Sequence, residues 1–342
     1  MAGINRDHPS GYGYVVSRLR AMENRLIDDG VLQRIIDSEE IEGALKVLGE
    51  TSYAAGLAEM KSPLDFDSLI ESELLNCYKE VRSFVPDSDV VALCSLPYDF
   101  HNVKVLIKNL IQVKEGGERS YRLLSNLGSI PTDALILAVE GEDYKLLPHS
   151  LDLAIPKCLS VWEQTRELQE AERVLDEALF KVIRDKAEDL KMPHVSEWVR
   201  IKIDTENLRT LYRLKRLGTE TAEALKFLHK GGNVSPERFV QVLSEPVEGW
   251  GRFLAASSLG GAFSSVQEST DVESAIIDME RALDEFSVKA LQSAKYDAFS
   301  PSNVLLYLCT KESEAKNLRI ALVAVANGTD KDLARRLLRH VR

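Results

Sequence analysis

Two short patterns recur three times, in fixed order, along this 342-residue chain. The first is an aliphatic residue, an acid, two variable residues and Leu. It reads Ile70-Glu71-x-x-Leu74, Leu175-Asp176-x-x-Leu179 and Met279-Glu280-x-x-Leu283. The second is an acid, two variable residues, Asn, an aliphatic residue and a base. It runs from Asp99 through Asn102 to Lys104, from Asp204 through Asn207 to Arg209, and from Glu314 through Asn317 to Arg319. Glu71 precedes Asn102 by 31 residues and Asp176 precedes Asn207 by 31, while Glu280 precedes Asn317 by 37. Successive Asn residues are 105 and 110 positions apart. Either pattern alone is common in helical sequence, but their paired recurrence marks an internal repeat. Its period exceeds the roughly 33 to 47 residues of the common short helical repeats, so each unit should be a small bundle rather than a helix pair.

Between these markers the periodicity is helical. Residues 69–81, 158–190 and 271–286 place apolar side chains at spacings of three, four and seven among charged ones. Val90 to Cys94 is the best strand candidate, and it stands alone. Pro63, Pro86, Pro97, Pro131, Pro148, Pro156, Pro193, Pro236, Pro246 and Pro301 mostly fall between helical patterns. Loops are expected at Gly116-Gly117, Gly231-Gly232 and Gly260-Gly261. A third element follows the Asn: Gly128-Ser129-Ile130-Pro131 and Gly232-Asn233-Val234-Ser235-Pro236, each leading into a short amphipathic helix. Ser235 before Pro236 is a good helix start. No such element fits after Asn317, whereas residues 26–48 have its character, so the segment before about residue 60 is expected to pack on the last unit. The fold class is all-α, three related helical bundles, with boundaries at 1–61, 62–157, 158–265 and 266–342.

The repeated polar residues read as structural fixtures. An acid near a helix start interacts well with the helix dipole and can cap free amides. A buried Asn requires hydrogen-bond partners, which loop backbone of the same unit can supply. Glu71, Asp176 and Glu280 are near-identical slots, which argues against a single catalytic acid. The outward tips of the short helices, with Ile130, Leu135, Val234 and Phe239, are candidate partner contacts, although burial is the simpler reading.

Chemistry-bearing constellations are absent from the sequence. No Gly-Lys dipeptide exists to build a phosphate loop, and no Gly-x-Ser-x-Gly elbow is present. Gly11-Tyr12-Gly13 lacks the third glycine of a dinucleotide fingerprint. The six histidines do not pair with one another or with Cys at metal-ligand spacing. Cys77, Cys94, Cys158 and Cys309 sit among apolar neighbours, as small buried hydrophobes do. The acid pairs Asp28-Asp29 and Glu39-Glu40 read as solvated faces. A net charge of −11 demotes nucleic acid as a partner. Residues 311–342 run against that balance, with eight bases and four acids. This is either a solvated face or a patch for an acidic partner or lipid. The polar start, residues 1–8, has no apolar core of a signal peptide. Apolar runs such as 320–326 fall far short of the ~18 to 20 residues of a membrane span.

The run Tyr14-Val15-Val16-Ser17-Arg18-Leu19-Arg20-Ala21-Met22-Glu23-Asn24-Arg25-Leu26, then Leu48-Gly49-Glu50-Thr51-Ser52-Tyr53, resembles the opening of the V/A-type ATPase C subunit family. Residues 98–108, around Asn102, are similar to its central signature. Residues 307–319, around Asn317, resemble its closing one, with Cys309 and Ala315 in places where an aromatic and a larger aliphatic residue are expected. The resemblance spans about residues 14–340. It implies a funnel-like fold with pseudo-threefold symmetry, seated on the cytoplasmic face of the membrane as a peripheral part. It implies one copy per complex, joining the axle subunits D and F to the proteolipid ring. Torque transmission coupled to proton or sodium transport follows, with no catalytic residue, cofactor or metal. The competing readings are a helical repeat scaffold with unrelated partners, and an all-α enzyme using a carboxylate cluster.

Overall fold

The computed structural model describes residues 10–263 and 272–340. The expected boundary at 265/266 and the segment 1–8 lie outside the described residues. Helices α1 (Ser10–Glu23), α2 (Asp29–Asp37), α3 (Ile41–Leu48) and α4 (Ala54–Leu57) open the chain. Next come α5 (Phe66–Phe84), α6 (Ser88–Lys114), α7 (Thr132–Glu140), α8 (Leu151–Thr165) and α9 (Leu168–Asp189). They are followed by α10 (Pro193–Leu217), α11 (Thr221–Ala224), α12 (Pro236–Leu243), α13 (Trp250–Leu254) and α14 (Gly260–Phe263). The chain closes with α15 (Val272–Lys289), α16 (Ser302–Asn327) and α17 (Lys331–Leu337). Among the described residues the fold is all-α, without a strand.

The three long helices α6, α10 and α16 each carry one acid-x-x-Asn pattern, and α5, α9 and α15 each carry one of the shorter patterns. Helix α6 packs on α9, α10 on α15, and α16 on α5. Helix α16 also contacts α1, α2, α3, α6 and α17. The main apolar core runs from α1 to α10 and through α16. A second core joins the distal half of α10, from Leu208 onward, to α12, α13, α14 and α15 through Phe239, Trp250 and Leu283. The two cores meet on α10 between Ile203 and Leu208, where Asp204, Thr205 and Asn207 are buried.

Several local expectations change. Val90 to Cys94 is helical, inside α6. Its β-branched run reflects burial on several sides of a core helix, a pattern that sequence periodicity does not separate from a buried strand. Helix α6 is also apolar and long enough to cross a bilayer by length and composition, yet 72% of its most apolar window is buried within the protein. Pro97 and Pro156 lie inside helices rather than between them. The pattern over 158–190 is two helices, divided at Arg166, whose φ of 59° is left-handed. Gly260-Gly261 starts α14 rather than a loop. A Cβ on Gly260 would lie 2.4 Å from the Ala255 carbonyl oxygen, so the chain turns too tightly there for a side chain.

Candidate functional site

Each repeated Asn closes a loop 22 or 23 residues downstream with a reciprocal pair of hydrogen bonds. Asn102 Nδ2 donates to Ser125 O at 2.8 Å, and Ser125 N donates to Asn102 Oδ1 at 2.8 Å. Asn207 does the same with His229, at 2.8 and 2.7 Å. Asn317 does so with Arg339, at 2.9 Å in both directions. A primary amide is the one neutral side-chain group that presents a donor and an acceptor side by side, as a peptide edge requires. The loop residue then reaches the helix that carries the preceding copy of the shorter pattern. Ser125 Oγ donates to Glu71 at 2.9 Å, the His229 ring stacks on Phe180 at 4.2 Å, and Arg339 bonds Asp284 at 3.1 Å.

The acid three residues before Asn holds the start of a short helix. Asp99 accepts from Ile130 N at 2.9 Å and from Ser129 Oγ at 2.6 Å. Asp204 accepts from Val234 N at 3.1 Å, Asn233 N at 2.9 Å and Ser258 Oγ at 3.0 Å. Both loops pass so close that a Cβ on Gly128 or Gly232 would lie 2.4 or 2.0 Å from a carboxylate oxygen. The glycines are therefore required for approach and not for a left-handed φ. Glu314 accepts from Ile27 N at 2.7 Å, ahead of α2. It is one methylene longer, and the residue in the glycine's place is Arg25. From these anchors Leu135, Phe239 and Leu32 occupy one slot, and Val139, Leu243 and Ile36 another, all buried.

Burial pushes the Asp204 carboxyl up to about 6, against the lowering from the Val234 and Asn233 amides and the Ser258 hydroxyl. Glu314 sits in a buried cluster with Lys311, at 2.7 Å, and the Tyr53 hydroxyl, at 2.9 Å; Glu73 is 3.4 Å from Lys311. Burial alone would lower the Lys311 ammonium, but Glu314 and Glu73 outweigh it and hold it above the usual lysine range. Burial raises Glu73 despite Lys311.

The bases of the second pattern reach across to helices that carry the first pattern, the last of them returning to α5. Lys104 on α6 meets Asp176 on α9 at 2.5 Å. Arg209 on α10 meets Glu280 and Asp284 on α15 at 2.9 and 2.6 Å. Arg319 on α16 meets Asp67 on α5 at 2.6 Å, one turn before Glu71. Asp284 is a hub, since Lys316 and Arg339 also reach it, each at 3.1 Å. Burial would raise its carboxyl, but these three cations hold it below the usual range. Sequence reading missed Asp284, Asp67 and Lys311. Asp284 and Asp67 lie one turn from pattern acids, and that offset is the signal by which they could have been found.

The four expected tips are covered by the protein itself. Ile130 is 9% exposed, Leu135 0%, Val234 6% and Phe239 0%, because the first two belong to the main apolar core and the last two to the second. The outer face of α7 is carried instead by Leu137, 77% exposed. The described bases of the C-terminal stretch pair with groups of the same chain, while Lys331 and Arg336 remain exposed. Lys331 bonds Asp37 O, Arg335 pairs with Asp37 and Arg336 with Asp278, in addition to the pairs of Lys311, Lys316, Arg319 and Arg339 already described.

A cleft of about 440 Å³ opens between α6, α9 and α10, lined by Lys104, Asp176, Phe180, Lys202, Glu206, Arg213, Leu217 and His229 among others. Both signs of charge alternate there with apolar side chains. Burial holds the His229 imidazole below its ordinary value, against the carboxylates of Asp176 and Glu206. Among the described residues no group of three or more His, Cys, Asp or Glu is placed to hold a metal ion.

The chain matches the ATP synthase (C/AC39) subunit family over residues 15–337. It is 27% identical to the C subunit of the A-type ATP synthase of Methanocaldococcus jannaschii, covering 90% of this chain and 81% of that protein. It is 22% identical to the C subunit of the V-type sodium ATPase of Enterococcus hirae and 24% identical to the C subunit of a V-type ATP synthase of Thermus thermophilus. Each of these two matches covers 90% of this chain and 92% of the relative.

Proposed function

The chain belongs to the ATP synthase C/AC39 subunit family, and from that premise we propose that it is a non-catalytic socket of the central rotor. In this reading it seats the D and F axle on the proteolipid ring, one copy per complex, at the cytoplasmic face of the membrane. It passes torque between ion flow and the catalytic head. The observation that carries the reading is the sequence of ion pairs from α6 to α9, from α10 to α15 and from α16 back to α5. Such a closed order supports three units, 62–157, 158–265 and 266–342, set around a common axis and completed by 1–61.

A part under torsion needs fixed register between its units. Part-exposed pairs such as Lys104–Asp176 and Arg319–Asp67 contribute only about 0 to 1 kcal/mol each, so they select register, while the better-buried Arg209–Asp284 pair and the packed helices supply stiffness. The cleft between α6, α9 and α10 suits a protein helix, because apolar side chains and charges of both signs line it. Co-purification tests the proposal. The tagged chain is recovered from gently solubilised membranes of its own cell. Recovery of the proteolipid and both axle subunits is expected. Recovery of the chain alone, or with unrelated soluble proteins, at low salt would refute the socket and favour a general scaffold.

A further inference from the structure

We propose that residues 10–61 are a closing arm that two copies of this chain can exchange. The arm supplies α16 with what α6 and α10 obtain from residues downstream of them. Ile27 N bonds Glu314 as Ile130 N bonds Asp99 and Val234 N bonds Asp204. Helix α2 then follows in the same register as α7 and α12. Asp28 caps it by accepting from Val31 N at 2.9 Å, as Ser235 caps α12.

The arm's contacts are extensive and fall on elements distant in sequence. Leu19, Leu32, Ile35, Ile36, Leu48 and Tyr53 are each no more than 3% exposed. Helices α1, α2 and α3 pack on α16, and α2 on α17. Arg18 and Arg25 both reach Glu80 on α5 at 3.2 Å. Tyr12 bonds Asp87 at 2.9 Å. By contrast, residues 58–65, which tie the arm to α5, are exposed or half-buried, contain Pro63, and are held by local turn bonds such as Asp65 N to Ser62 O. A large self-complementary surface joined by a short exposed connection is the arrangement from which a segment can be traded between copies without making a new interface. The occupant of the surface formed by α16, α17 and α5 is thus an arm, from the same chain or from a second copy.

A cleavage site for a sequence-specific protease, inserted between Lys61 and Ser62 of the full chain, tests this. After cutting under native conditions, arm and remainder are expected to co-elute in low and in high salt. Isotope-labelled and unlabelled cut chains, mixed in mild denaturant and returned to buffer, should yield mixed complexes by native mass spectrometry. Uncut chain refolded at high concentration should contain a dimer that the protease converts to monomer-sized complexes. In the cut protein Tyr53→Phe, which removes one bond to Glu314 and keeps the ring, should speed exchange a few-fold. Glu314→Gln should speed it about tenfold or more, because a charged partner is lost from buried bonds. Release of the wild-type arm on cutting, absence of mixed complexes, or exchange insensitive to both substitutions would overturn the proposal.

Discussion

Replacing the repeated Asn residues one at a time gives a graded prediction with internal controls. In Asn207→Ala the amide that satisfies both His229 N and His229 O disappears, and both bonds are buried. Each buried backbone group left without a partner costs about 1 to 3 kcal/mol, so the loss should be about 2 to 5 kcal/mol, allowing for some relaxation. Asn102 and Asn317 make the same two bonds, but to the half-buried residues Ser125 and Arg339. Water can replace the lost partner there, and each Ala substitution should cost about 1 to 2 kcal/mol. Asn207→Asp should not rescue, since it keeps the acceptor, loses the donor and buries a charge. Guanidinium unfolding followed by helical circular dichroism measures all four at constant slope. Equal costs at the three sites, or a cost below about 0.5 kcal/mol at Asn207, would refute the assignment of stability to burial of the clamped peptide edge.

Gly232→Ala and Gly128→Ala should destabilise, Gly232→Ala more, because the added Cβ falls 2.0 and 2.4 Å from a carboxylate oxygen. Gly249→Ala, where nothing lies within 4 Å, should be near neutral in the same guanidinium unfolding series. Asp284→Ala should cost about 3 to 5 kcal/mol, since Arg209, Lys316 and Arg339 lose a common partner. Because Asp284 is held below the usual range, its contribution is present at neutral pH and is lost as pH falls through its folded value. The variant should therefore show a flatter acid limb than wild type. Asp204 works in the opposite sense. Its carboxyl is raised from 3.8 to about 6, so its share of stability is full below 3.8 and is lost as pH rises through about 6. Asp204→Asn should remove that slope from a pH series of unfolding midpoints. Lys311→Met and Glu314→Gln should each destabilise strongly, about 3 kcal/mol or more, while the double substitution should cost less than their sum, read from a double-mutant cycle.

The helical class, the threefold recurrence and the residues that carry it are properties of order along the chain, and they are legible there. An Asn at position 102, 207 or 317 can be recognised as a member of a series before any contact is known. Its partner, 22 or 23 residues downstream, is not marked in the same way, because Ser125, His229 and Arg339 have no common chemistry. Only their backbone is used, and a backbone edge leaves no trace in residue identity. The buried tips were open to two readings for a related reason. An amphipathic helix such as α12 shows which residues share a face, but not whether that face meets the chain's own core or a partner.

By itself, the sequence determined an all-helical chain, an internal repeat of about a hundred residues and the acid, Asn and base that recur in each unit. Tertiary structure decided that each base pairs with a helix distant in sequence, that the described bases of the C-terminal stretch pair with groups of the same chain, and that Glu314 accepts from Ile27 near the other end of the chain. The physical reason is that helical propensity and repeat spacing are set by neighbours in sequence. The pairing of charges such as Arg209 with Glu280, 71 residues apart, or Arg319 with Asp67, 252 apart, depends on how helices pack, which position along the chain does not encode.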